Sequence, residues 1–182
     1  ALRLGWSEDH LKRYLVTLVK PNSGGNYAGG EAAAYQSQFR SLAENYGINV
    51  SEGQIQSWVH SAIIGGQTPD SIKSVIQNSA ASHYPALAAR IKAGETVAQI
   101  ADPYKQSYAK LLEQNPDTIN VQDPLIQRAL QSKDAKGKPT TQTVYDFENT
   151  LRNDPRWAKT DNARDQMSAA ANSILSSFGL AK

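Results

Sequence analysis

The stretch SEGQIQSWVHSAIIGGQTPDSIKSVI, Ser51 to Ile76, decides the fold class. The Ser51 hydroxyl is placed to accept from an orphan N–H of a first helical turn, and Gln54, three residues on, is placed to reach back, the reciprocal arrangement of a capping box. Ile55, Trp58, Val59, Ala62 and Ile63 then recur at the three- and four-residue intervals of one helical face, and Gly65-Gly66 stops the run. Thr68-Pro69 opens a second helix, because a proline in the first helical position gives up an N–H that has no partner there. Ile72, Val75, Ile76 and Ser79 continue as its inward stripe. The chain here writes cap, amphipathic stripe and stop, then cap and stripe again. That is the grammar of an all-α protein.

Upstream, Leu11, Tyr14, Leu15, Leu18 and Val19 predict a helix from Ser7 to Lys20, ended by Pro21. Asn22 to Gly30, with Gly24, Gly25, Gly29 and Gly30, reads as a flexible connector. A phosphate-cradling loop would need the G-x-x-x-x-G-K-[ST] pattern after a strand, and neither is present. Ala34, Tyr35, Phe39, Leu42, Ala43 and Tyr46 give a helix over Glu31 to Tyr46, with Gly47 at its left-handed C-terminal cap. The openings Ser7, Ser51 and Thr68 share a spacing to their first apolar residues, but the uneven intervals between them argue against a solenoid.

Downstream, a short helix beyond Pro85 runs to Ile91 and stops at Gly94, and another starts from Thr96 and is interrupted or restarted at Asp102-Pro103. Tyr104, Tyr108, Leu111 and Leu112 line one face up to Asn115-Pro116, and Asp123-Pro124 opens a helix carrying Leu125, Ile126, Ala129 and Leu130. Ser132 to Pro139 is the most polar segment and the expected exposed excursion. Val144, Phe147, Glu148 and Leu151 form a helix that must yield before Asp154-Pro155, since the residue before proline avoids the α region. Asp161 or Asn162 caps the last helix, whose apolar positions are Ala163, Met167, Ala170, Ala171, Ile174, Leu175 and Phe178, with Gly179 closing it. Ile48-Asn49-Val50 and Thr118 to Val121 are too short to imply a sheet. The expected architecture is a compact multi-helix domain of about eight or nine short helices joined by Pro/Gly-marked turns. It is read as one domain over residues 1–182, with 94–102 as the place where it would subdivide. Because the chain starts on Ala1 rather than Met, it reads as a segment or processed form of a longer protein.

Of the 182 residues, 40% are hydrophobic and 20% charged, which is compatible with a folded core. Nineteen Lys+Arg against seventeen Asp+Glu leave a formal charge of +2, with the signs interspersed. A specific nucleic-acid ligand is therefore not expected, since a DNA-binding domain of this size needs a basic stripe to displace counterions. The densest basic run, Lys133, Lys136 and Lys138, is interrupted by Asp134 and reads as a solvated loop. No cysteine is present, which removes disulfides, thiolate nucleophiles and Cys-ligated zinc. No apolar run approaches the roughly 20 residues of a membrane span, and the opening lacks the apolar segment of a signal peptide. A soluble protein is expected.

No catalytic set, cofactor site or metal-ligand set can be read from the residues. His10, His60 and His83 are the only histidines, and none stands at a ligating distance from another histidine or a carboxylate. His60, beside its helix's stripe, is expected as a partly buried, hydrogen-bonded imidazole, and His83 as a helix-end residue whose cationic form the macrodipole favours. Glu31, Glu44 and Glu52 are the only acids to weigh for glycan cleavage, which needs two carboxylates across the scissile bond; around Glu44 the patterns of lytic transglycosylases are missing. Lys133 to Lys138 holds one hard oxygen ligand where a calcium loop needs several, so it reads as a turn. Trp6, Trp58 and Trp157 are not interleaved with basic clusters, which favours packing over base stacking. Trp157, in Asp154-Pro155-Arg156-Trp157, reads as an aromatic projected between charged neighbours, the composition of a binding hot spot.

The segment DFENTLRNDPRWAKTDNARD, Asp146 to Asp165, followed by the ending Ile174 to Leu180, resembles the carboxy-terminal region of large virion-associated proteins of tailed phages infecting actinobacteria. Ala101-Asp102-Pro103-Tyr104-Lys105 is similar to a more upstream part of the same proteins, and the opening Ala1 to Trp6 matches more weakly. The resemblance implies a helical structural or assembly component located in the virion, in the tail lumen, at the tail tip, or packed inside the particle and ejected with DNA. Its partners would be other virion proteins or further copies of itself, met through an interface at Arg156, Trp157, Arg164 and Phe178. The family transfers no catalytic residues. The alternatives are a virion-borne peptidoglycan hydrolase module and a binding module for a host protein or DNA.

Overall fold

The computed structural model describes residues 6–18 and 20–179. Ala1 to Gly5, Val19 and Leu180 to Lys182 lie outside the described residues, as do the side chains of Lys12, Leu15, Val16 and Thr17. Part of the first helix's expected stripe and the two ends of the phage-like pattern therefore fall outside them. Among the described residues there are nine α-helices: α1 (Glu8–Leu18), α2 (Gly30–Asn45), α3 (Glu52–Ile63), α4 (Pro69–His83), α5 (Ala88–Lys92), α6 (Val97–Leu112), α7 (Pro124–Leu130), α8 (Val144–Arg152) and α9 (Asp161–Ser177). Three single 3-10 turns and a two-stranded ladder, β1 (Ser132–Lys133) with β2 (Pro139–Thr140), complete the inventory. The all-α reading holds. The chain forms two compact units, one up to Gln99 and one from Ile100.

Hydroxyl caps start most of these helices. Ser7, Ser51 and Thr68 each accept from the backbone N–H three residues on, at 3.2, 3.3 and 3.2 Å. The shared spacing seen in the sequence is thus the signature of one capping geometry. The reciprocal capping box forms at Thr96, where Gln99 N–H donates to the Thr96 hydroxyl and Thr96 N–H donates to Gln99 Oε1. At Ser51 only the serine half is made. Pro103 does not interrupt α6, contrary to expectation. It deprives the carbonyl of Gln99 of its helical donor, but Gln99 and Pro103 are both exposed, so water can take that place.

In the first unit the core is built from Phe39, Tyr46, Ile55, Val59, Ile72 and Ile76, with Phe39 edge-on to Trp58. Val75 and Ser79, expected inside, are exposed. The buried ridge of α4 runs Ile72, Ile76, Ala80 and turns toward Ala81 and Tyr84, so contact follows the four-residue row rather than the three-residue one. On α2, likewise, Ala34 is exposed and Ala32 and Gln36 are inside. Gln36 is buried because it fastens the glycine-rich segment: it accepts from Tyr27 N–H at 3.0 Å and donates to Gly25 O and to Glu52 Oε1, both at 2.7 Å. Tyr27 itself is buried. Gly25 has φ +79°, and a Cβ there would lie 2.8 Å from Glu52 Cγ. The connector expected to be flexible is a pinned loop.

The core of the second unit is made of Tyr104, Tyr108 and Leu111 of α6, Ile126 and Leu130 of α7, and Phe147 and Leu151 of α8, all buried, with Tyr104 and Phe147 edge to face at 5.3 Å. The expected polar excursion is a small hairpin. Ser132 pairs with Thr140 and Lys133 with Pro139, and Asp134 Oδ1 closes the turn by accepting from Lys136 N–H at 2.8 Å and Lys138 N–H at 2.9 Å. Gln142 N–H donates to Ala129 O, which returns the chain to α7.

Candidate functional site

The feature of the second unit that its own packing leaves uncovered is α9. Ala163, in its first turn, is fully buried, and every residue from Arg164 to Gly179 is exposed. The stripe formed by Ala163, Met167, Ala170, Ala171, Ile174 and Phe178 occupies one side of the helix, with Leu175 at its edge, while Asp165, Ser168, Asn172 and Ser176 occupy the other. The stripe starts in the core and continues out of it. Met167, Ile174, Leu175 and Phe178 keep 55, 57, 42 and 74% of their surface exposed. A fourteen-residue helical stretch, Arg164 to Ser177, with no packed face is marginal by itself in water, because helix stability in proteins comes mainly from burial of an apolar side.

The start of α9 is firmly held. Thr160, not Asp161 or Asn162 as expected, is the N-cap: it is extended, and its hydroxyl accepts from Ala163 N–H at 3.1 Å while donating to Trp157 O at 2.7 Å. Asp161 and Asn162 lie inside the first turn, and their N–H groups donate to the two carboxylate oxygens of Glu113 at 3.0 and 2.8 Å. Asn162 Nδ2 also donates to Lys110 O. These two backbone donors hold the Glu113 carboxyl below the usual glutamate range. Glu113 stands at φ +53°, just past the end of α6, where glycine is favoured; Gln114 N–H closes the turn onto Ala109 O. A non-glycine residue is accommodated there while its carboxylate clamps the N-terminus of α9, the end of a helix that favours negative charge.

The four residues expected at an interface separate into two kinds. Phe178 and Arg164 are out in solvent, with Arg164 paired to Asp161 at 2.9 Å on the surface. Arg156 is turned onto its own unit. It grips Asp154 with two bonds of 2.9 Å, donates to the Tyr108 hydroxyl at 2.8 Å and lies 5.5 Å from the Tyr108 ring centroid. The Asp154 pairing raises the Arg156 pKa above its ordinary value, and the guanidinium holds Asp154 below the usual carboxylate range. Tyr108 in turn donates to Asp123 Oδ2, the side chain that also caps α7 through Oδ1. Trp157 is half-buried, and its indole Nε1 is buried without a partner among the described residues. It is partly covered rather than fully projected, in the 3-10 turn just before α9.

Elsewhere the candidate chemistry disperses. No group of three or more His, Asp or Glu side chains suited to a metal occurs among the described residues. His60 is half-buried as expected, but its Nε2 is buried and without a hydrogen-bond partner among the described residues, as is the Tyr27 hydroxyl. Glu31 is an exposed first-turn residue of α2. Glu44 and Glu52 do line one depression of about 100 Å³ in the first unit, together with Arg40. Glu52, however, is engaged by Arg40 at 2.8 Å and by Gln36, which hold its carboxyl below the usual range and keep it ionised. A general acid needs the opposite shift. No helix among the described residues is long and apolar enough to cross a membrane. Comparison with models of protein families, with curated proteins and with solved structures finds no match to this chain.

Neither Glu113 nor the Tyr108–Arg156–Asp154 cluster was marked by the sequence. Glu113 lies 48 residues before the amide it serves, and no local pattern announces such a pairing. The Thr160 cap did carry a signal, a hydroxyl three residues ahead of a buried alanine, the same spacing as at Ser7, Ser51 and Thr68.

Proposed function

We propose that this chain is a structural or assembly component of a phage virion and that it acts by protein–protein packing through α9. The observation that carries the packing half is the continuous exposure of an apolar helical stripe from Met167 to Phe178 on a helix whose first turn is clamped. Contiguous apolar surface of this kind marks an interaction site in a folded protein. The virion half rests on the resemblance of Asp146 to Asp165 and of the helix end to actinobacterial phage proteins. Two of the phage-like segments, Asp146 to Asp165 and the one starting at Ile174, overlap α9, so part of the resemblance falls where the uncovered surface lies.

Mass spectrometry of purified phage particles tests this reading. The polypeptide is expected in the particle, and Phe178→Asp, which leaves the core untouched, should lower its copy number there; its absence from particles ends the proposal. The competing reading, a peptidoglycan hydrolase module, has in its favour only that Glu44 shares a depression with Glu52. Zymography decides it: clearing by the wild type that Glu44→Gln loses would move the function to an enzyme.

A further inference from the structure

Helix α9 is held at its beginning. A helix opens with four backbone N–H groups that have no partner inside it, and here each has a named acceptor. Asp161 and Asn162 donate to the two Glu113 carboxylate oxygens at 3.0 and 2.8 Å, Ala163 to the Thr160 hydroxyl at 3.1 Å, and Arg164 to Thr160 O at 3.3 Å. Asn162 adds a side-chain bond to Lys110 O, and Ala163 is buried. Two of the four acceptors therefore come from the turn that ends α6, 48 and 49 residues earlier in the chain.

Beyond that first turn, α9 has only its own backbone. From Asp165 to Gly179 every residue is exposed, and the one side-chain hydrogen bond there among the described residues, Ser177 hydroxyl to Ile174 O, stays within the helix. Ala169 to Ala171 favour the helix, but Ser168, Asn172, Ser173, Ser176 and Ser177 dilute them, since serine and asparagine bond to nearby backbone in other conformations. The last turn carries no basic residue to complement its carbonyl end. Nucleation is the costly step of helix formation, because a first turn orders several residues for one hydrogen bond, whereas each later residue brings its own. A stretch whose propagation is near balance is helical only while its first turn is supplied.

We propose that the first turn of α9 is the nucleus on which the exposed stretch folds, and that the turn ending α6, through Glu113, sets the helical order of Arg164 to Ser177. Glu113 is the only non-glycine residue with positive φ among the described residues, at +53°, a conformation that a Cβ disfavours. A movement there withdraws two acceptors at once, and the loss travels along α9 as fraying. The apolar stripe is thus conditional: Met167 to Phe178 share one side only while the helix is wound. This coupling goes beyond the packing role and holds whatever covers the stripe.

Cα chemical shifts of the full-length chain read helicity residue by residue. In the wild type the helical shifts should decline from Ala163 toward Ser177. In Glu113→Ala, which removes both acceptors, those of Ala169 to Ala171, about two turns beyond the clamped amides, should fall to about half. The ring signals of Tyr104 and Phe147 should stay in place and report an intact core; Glu113 is exposed, so its truncation empties no packed volume. Glu113→Gly, which relieves the positive φ without restoring a carboxylate, should lose the same helicity. A Glu113→Ala chain that changes only at Asp161 and Asn162, with Ala169 to Ala171 at wild-type values, overturns the proposal, as does wild-type helicity in Glu113→Gly. The virion reading fails separately, by absence of the polypeptide from purified particles, which leaves this coupling untouched.

Discussion

At the scale of single residues, Glu113 and Thr160 carry more than their exposed positions suggest, because each satisfies backbone donors at the start of α9 that have no helical partner. Thr160→Ala should cost about 1 kcal/mol of the second unit's stability in urea unfolding, while Thr160→Ser keeps most of it. For Glu113 the expectation is a dependence on pH. Its carboxyl is held below the usual glutamate value in the folded chain, so its contribution is complete above the unfolded-state pKa and is lost as pH falls through the lowered folded value. Protection of the Asp161 and Asn162 amides, relative to exchange in an unstructured chain at the same pH, should therefore fall on acidification in the wild type, whereas Glu113→Gln is less protected already at neutral pH and loses the acid dependence. Equal exchange in both proteins would remove the clamp.

At the scale of elements, the contrast lies between segments fastened by distant side chains and those fastened by their own sequence. The loop at residues 22–29 is held by Gln36, whose carbonyl and amide both reach its backbone. Gln36→Ala leaves the buried Tyr27 N–H and the Gly25 carbonyl without that partner, an expected loss of about 1–3 kcal/mol. Hydrogen exchange at Tyr27 should rise in step with it. The capping spacings were legible because a cap joins residues three apart, and the helical stripes were legible because they repeat every three to four residues. Burial within a stripe was less so: Val75 and Ile76 are both apolar neighbours on α4, and only the direction of packing makes one exposed and the other buried.

At the scale of the whole molecule, stability and association separate onto different residues. Phe147 is fully buried, and Phe147→Ala should cost about 3–5 kcal/mol. Ile174→Asp should stay within about 0.5 kcal/mol of the wild type in urea unfolding, as surface substitutions do.

The sequence by itself determined the all-α class, the placement of most helices and the apolar side of each, because those follow from local periodicity, capping hydroxyls and proline. It also marked Phe178 and Arg164 as surface residues of a candidate interface. Tertiary structure alone decided that Arg156 and Trp157 turn toward their own unit, that the glycine-rich loop is pinned, and that the last helix leaves the core after Ala163. The reason is range. A helical stripe states that a helix has an apolar side, but whether that side is covered depends on residues far along the chain, and on α9 the fold supplies an anchor at Glu113 and no cover beyond Ala163.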